Sequence, residues 1–160
     1  SELIRSISER KLSQLLMENG DEPHALSIAG AIAAHREGVR TTKDLADAVR
    51  RALGRMGEDE TKKSIQRTFQ ALRIAVNDEL SALERFLSSL PDCLKPGGRV
   101  AIVSFHSGED RRVKKSFLNG LRSGLYECVS PTPIRPSDDE RRANPRSSSA
   151  KLRWAVKTAL

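Results

Sequence analysis

The chain has 160 residues, enough for one ordinary domain or for a helical module attached to a small sheet. Its apolar share of 38% supports a core, its aromatic share of 4% is small, and no apolar run reaches the roughly 18 residues of a membrane span. With 28 Lys and Arg against 21 Asp and Glu, the net charge of +7 favours an anionic partner, RNA ahead of a membrane surface.

In chain order, the first predicted helix runs from about Ser8 to Glu18, with Leu12, Leu15 and Leu16 on one face. The second spans about Pro23 to Arg36, where Ala25, Ile28, Ala29 and Ile32 recur at spacings of three and four, and Gly38 ends it. Thr41 opens a third helix with Asp44 as its capping-box partner and Leu45, Ala48, Val49 and Ala52 as its buried stripe. The polar stretch from Gly54 to Thr61 reads as a loop.

A single long helix is expected from Ile65 to Leu90, because Phe69, Leu72, Val76, Leu80, Leu83 and Leu87 hold one helical period. Pro91 and Lys95-Pro-Gly-Gly98 break it. The apolar run Arg99–Ser104 is a strand, followed by a helix over about Glu109 to Leu118. Gly124 to Ser130 alternates like a strand, three prolines at 131, 133 and 136 enforce an extended linker, and Ser137 caps a short turn. The last strand is Lys151 to Lys157, expected to pair antiparallel with its predecessor at the sheet edge. The fold class is therefore α/β. A mostly helical module over 1–65 precedes a partial sheet of about three strands over 66–160.

Chemistry is expected just past the Arg99–Ser104 strand, since open α/β sheets place ligands at the carboxyl ends of their strands. His106 follows that strand by two residues, and Asp110 stands one helical turn further on, placed to orient the imidazole or accept from it. Ser104, Phe105 and Ser107 complete the candidate pocket, with Ser107 also fitting as an N-cap whose partner is Asp110. No G-x-S-x-G elbow marks a hydrolase, and no G-x-G-x-x-G or Walker A loop marks a cofactor site within the chain. Gly97-Gly98 precedes its strand, whereas a phosphate-binding glycine loop follows one. His24 and His35 read as surface residues, which leaves no metal set. Cys93 and Cys128 read as small buried residues in a reducing compartment, hence a cytoplasmic setting.

Basic residues gather at the start of the long helix (Lys62, Lys63, Arg67, Arg73) and again from Arg111 to Arg153. Either group suits phosphate contact.

Three segments carry a resemblance. Arg67-Thr-Phe-Gln-Ala-Leu-Arg-Ile-Ala-Val-Asn-Asp-Glu-Leu80, the run Leu94-Lys-Pro-Gly-Gly-Arg99 leading into Ser104-Phe-His-Ser-Gly-Glu-Asp-Arg111, and Asn144-Pro-Arg146 with Ser149-Ala-Lys-Leu-Arg153 resemble the ribosomal RNA small-subunit methyltransferase H family, also called MraW. The resemblance implies an S-adenosylmethionine-dependent enzyme that methylates the exocyclic N4 of a cytidine in small-subunit ribosomal RNA. Its Rossmann-like domain would be interrupted by a helical insertion.

By that resemblance, residues up to about 65 are similar to the insertion, and the rest to the last three strands of the methyltransferase sheet. The cofactor loop would precede Ser1, so the 160 residues alone are expected to bind no cofactor and to be inactive. The resemblance implies a substrate-side role for His106 and Asp110, and RNA contact for Lys63, Arg67, Arg73, Arg111, Asn144 and Arg146. Lys63-Ser-Ile-Gln66 departs from the family's His-Pro-Ala-Thr, Gly108 from its usual Leu, and Ser27 from its usual basic residue. The alternative is a non-catalytic basic RNA-binding or assembly module. Without an earlier strand beside it, Arg99–Ser104 would be an uncovered edge, from which a homodimer is expected.

Overall fold

The computed structural model describes residues 2–159; Ser1 and Leu160, the outer ends of the two predicted segments, lie outside them. The chain forms two compact units, one through Glu79 and the other from Leu80.

The first unit is all helix: α1 (Glu2–Ser6), α2 (Glu9–Gly20), α3 (Ala25–Ala34), α4 (Thr42–Leu53) and α5 (Glu58–Asn77). Local chemistry fixes the starts. The Ser8 hydroxyl accepts from Lys11 N at the head of α2, and Thr41 and Asp44 form the expected reciprocal box at the head of α4. Asp44 is held ionised below its ordinary range, first by the Thr41 backbone N–H and then by the Thr41 hydroxyl.

The apolar stripes of α2, α3 and α4 meet in a core of Leu12, Leu16, Ile28, Ile32, Ala48 and Val49, joined from α5 by Ala71 and Leu72. Each large side chain removed from water there contributes about 1.5–3 kcal/mol. Helix α5 approaches α2 so closely that a Cβ on Gly20 would stand 2.7 Å from the Arg67 carbonyl oxygen. Beside this crossing Glu22, 1% exposed, accepts from the Ser64 hydroxyl (3.0 Å) and the His24 N–H (2.9 Å).

The second unit contains α6 (Glu79–Cys93) from Leu80 on, then β1 (Arg99–Ser104), α7 (Ser107–Arg122), β2 (Tyr126–Val129), α8 (Asp138–Ala143) and β3 (Lys151–Lys157). The strand order is β1-β3-β2, and β3 is antiparallel to both neighbours. Thus β1 and β2 run parallel to each other, joined through α7 as a crossover requires. Cross-strand partners share a face, so Val100↔Ala155 and Ile102↔Arg153 point one way while Ala101↔Trp154 and Arg99↔Val156 point the other. The first face packs on Leu87 and Leu90 of α6 and on Val113 and Phe117 of α7. Gly120 admits the Tyr126 ring, whose Cε2 would lie 2.6 Å from any added Cβ. The Phe117 and Tyr126 rings meet edge to face at 5.6 Å.

Several expectations are corrected. The 65–90 helix is two helices, because Asp78 turns left-handed at φ 51° and its N–H closes α5 on Ile74 O. The loop after Gly54 is shorter than expected, since Glu58, Asp59 and Glu60 suit the positive end of a helix and α5 starts there. Pro91 does not stop α6, which continues to Cys93; in the last turn a missing N–H forfeits a single bond. The compact units divide after Glu79, where α5, packed as one piece against α2 and α4, ends. Within the sheet β3 takes the centre and β2 an edge. Both cysteines are exposed rather than buried. Among the described residues, β1 pairs with β3 alone, so its other side is an open edge.

Candidate functional site

The carboxyl end of β1 runs directly into the start of α7, and the turn between them is built from its own side chains. His106, not Ser107, is the N-cap: its Nδ1 accepts from the Glu109 N–H at 3.3 Å. An accepting Nδ1 leaves the proton of the neutral ring on Nε2. Nε2 lies 3.2 Å from Glu109 Oε1, close enough for Coulomb attraction but off the line of a hydrogen bond. The other carboxylate oxygen, Glu109 Oε2, accepts from the Phe105 N–H at 2.9 Å. Burial works against the charge of Glu109. The His106 side chain and then the Phe105 N–H outweigh it, and its pKa falls below the ordinary glutamate value. The result is a capping arrangement in which a histidine stands where Ser or Thr usually does.

Asp110 faces elsewhere. Its Oδ1 accepts from Arg153 Nε at 2.7 Å and its Oδ2 from Nη2 at 3.2 Å, while Lys151 Nζ is 3.9 Å from Oδ2. Both partners of the bidentate pair are buried. Ser104, also buried, donates from Oγ to Lys151 O at 3.3 Å. The expected orientation of His106 by Asp110 is therefore corrected: Glu109 holds the imidazole, and Asp110 bolts the first turn of α7 to β3. Phe105 projects from this scaffold, 56% exposed, beside a nearly buried imidazole. Chemically, the site offers an aromatic face for a planar ring on a rigid turn.

The predicted basic residues separate. Arg67 donates to Glu60 at 2.9 Å, which holds Glu60 ionised below its usual range, and Lys63 stands 3.7 Å from the same carboxylate. Arg73 grips Glu79 through Nε (3.0 Å) and Nη2 (3.2 Å). These three belong to the first unit; Arg111, Asn144 and Arg146 belong to the second and are exposed. Asn144 ends α8 and starts the following 3₁₀ turn.

Two residues escaped the sequence reading. Glu109 was detectable, since His106-x-x-Glu109 has capping-box spacing once His is admitted as a cap. Arg153 was not, because 43 positions separate it from Asp110. No group of three His, Cys, Asp or Glu able to hold a metal occurs among the described residues.

Comparison with known proteins gives a consistent result. Residues 1–158 match the model of the MraW methylase family. The chain is 49% identical to ribosomal RNA small subunit methyltransferase H 2 of Alkaliphilus metalliredigens, covering 96% of this chain and 46% of that protein. Identity is 48% to methyltransferase H 1 of Lachnoclostridium phytofermentans, over 98% of this chain and 45% of that one. It is 43% to methyltransferase H of Crocosphaera subtropica, over 99% and 49% respectively. The chain thus spans about half the length of the curated relatives it matches.

Proposed function

The chain belongs to the MraW methylase family, and from that premise we propose that it is part of an S-adenosylmethionine-dependent methyltransferase acting on the N4 amine of a cytidine in small-subunit ribosomal RNA. The observation that carries the reading is the family match over residues 1–158, together with relatives named as methyltransferases of that RNA.

The Gly97-Gly98 turn is consumed by the sheet, with Gly97 N donating to Lys157 O and Lys157 N donating to Gly98 O. We expect the 160 residues alone to show neither tight cofactor binding nor turnover; a one-to-one calorimetric titration with S-adenosylmethionine would overturn this.

What the chain supplies is the substrate side. The lone pair of a cytidine N4 is delocalised into the ring, so the nitrogen must be fixed in position and relieved of a proton. Phe105 stacks on the base, Ser104 and Ser107 line the approach, and His106 forms the wall beside them. Asp110 acts through Arg153 as a positioning residue. Lys63, Arg67, Arg73, Arg111, Asn144 and Arg146 line or brace the RNA approach. A cytoplasmic setting accompanies ribosomal RNA, and the open β1 edge supports a homodimer, which light scattering over a concentration series tests. No helix is long and apolar enough to cross a membrane among the described residues.

The test uses a protein of the relatives' full length carrying these residues. Phe105→Ala is expected to cost about 1–3 kcal/mol of RNA binding, read as a raised KM. His106→Ala should lower turnover; unchanged turnover and affinity would remove His106 from the site. Mass spectrometry of the product nucleosides should show N4-methylcytidine, and a methyl group on any other base would overturn the substrate assignment. A second reading, a non-catalytic RNA-binding module, is favoured by the net charge of +7 and the all-helical first unit. A reading frame that begins at Ser1 and still folds and binds RNA would establish it.

A further inference from the structure

We infer that the outward face of α7 is a docking surface for the phosphate backbone of RNA. This rests on the RNA-methyltransferase reading above. The face is set by helical geometry: Val113, Phe117 and Gly120 are buried against the sheet, so the opposite side carries Lys115 and Arg122 in one line, with Lys114 on its flank. All three are exposed. At 1.5 Å per residue the row extends about 10 Å along the helix.

Its charge is not offset within the helix. The two acids of α7, Glu109 and Asp110, are committed to His106 and Arg153, and no Asp or Glu occurs from Arg111 to Arg122. Several other cations of this unit are taken up locally. Arg112 pairs with Glu84 at 2.7 Å, Arg141 with Asp138 at 2.9 Å, and Arg142 lies 3.6 Å from Asp139. Arg153 is buried on Asp110, and Lys157 Nζ donates to Pro91 O and Leu94 O.

Beside the row, Glu84, Leu87 and Ser88 of α6 and Arg112, Lys115, Ser116 and Asn119 of α7 line a shallow, largely apolar groove whose one carboxylate is paired with Arg112. A cation row edged by hydroxyls and an amide suits a ribose–phosphate strand, where phosphate takes the cations and the 2′-hydroxyl takes Ser and Asn. It does not suit a membrane surface, because interfacial helices insert an apolar face and that of α7 is already buried.

The experiment measures binding of the 160-residue chain to a small-subunit ribosomal RNA fragment by filter retention across a salt series. The variant Lys114→Gln/Lys115→Gln/Arg122→Gln is compared with Lys11→Gln/Arg51→Gln/Arg55→Gln, an equal charge loss on exposed positions of the first unit. The α7 variant should lower the log–log salt slope by about 2 and the affinity roughly 10²-fold at 0.1 M salt. The control should change neither, and Lys114→Arg/Lys115→Arg/Arg122→Lys should bind like the parent chain. RNA binding with equal losses in both Gln variants would overturn the α7 surface while leaving the RNA reading standing. Binding of the parent chain to phosphatidylserine vesicles but not to RNA would overturn both.

Discussion

The two compact units divide the chain almost evenly in length and very unevenly in charge. Through Glu79 there are 13 Lys and Arg against 13 Asp and Glu; from Leu80 there are 15 against 8, so the whole excess of +7 sits in the unit with the sheet. Among the described residues each unit also buries one carboxylate, by opposite means. Glu22 is held by a hydroxyl and a backbone N–H, both neutral donors, whereas Asp110 is held by a guanidinium with a lysine ammonium nearby. The difference teaches that a whole-chain charge describes neither half. It also shows that a buried acid can be a packing device in one unit and an ionic bolt in the other.

The sharpest way to break this comparison is to remove the bolt. Arg153→Ala strands a buried carboxylate and should cost about 3–5 kcal/mol, read by denaturant unfolding. Hydrogen exchange should accelerate in α7 and β3 and stay unchanged in α2 and α3; equal acceleration in both would mean that the units unfold together. Next in size is Gly20→Ala, which drives a methyl group into the Arg67 carbonyl and should destabilise the first unit by about 1–3 kcal/mol.

Glu22→Gln should cost no more than about 1 kcal/mol, because no cation is left behind. A loss as large as that of Arg153→Ala would show that Glu22 bears an ionic role after all. The smallest effect belongs to Glu109. Its folded pKa lies below the ordinary 4.5, so its contribution is present above that value and is lost as pH falls through the folded pKa. Glu109→Gln should flatten that part of the acid unfolding curve, and an unaltered curve would mean that the His106–Glu109 contact contributes nothing to folding.

The sequence showed what periodicity and capping carry. The stripes of α2, α3 and α4 and the Thr41–Asp44 box are where local pattern places them, and β1 and β3 coincide with their apolar runs. The division between α5 and α6 was hidden because the apolar period of 65–90 runs on through Asp78. A single left-handed residue ends a helix without disturbing the stripe on either side. In the candidate site, His106, Phe105 and Ser104 were legible from their place after an apolar strand. The partner of Asp110 was not: only the pairing of β1 with β3 brings Arg153 beneath α7, and register is a tertiary fact. The exposure of Cys93 and Cys128 was missed because composition reports what cysteines do on average, not which side of a strand or helix end they occupy.

The central position of β3 has a consequence for how the second unit comes into being. A ribosome releases β1 and β2 first, yet neither has a strand to bind until residues 151–157 emerge, since the pairs Arg99↔Val156 and Val129↔Ala155 both wait for them. The β1–β3 ladder therefore joins residues 47 to 57 positions apart, a separation that slows folding and prolongs exposure of unpaired backbone. The first unit ends at Glu79, so all of its helices emerge before β1 and it can complete itself earlier. During synthesis the late strand acts as a latch, and a nascent chain stalled before Lys151 would hold a finished helical bundle ahead of a sheet that has not begun.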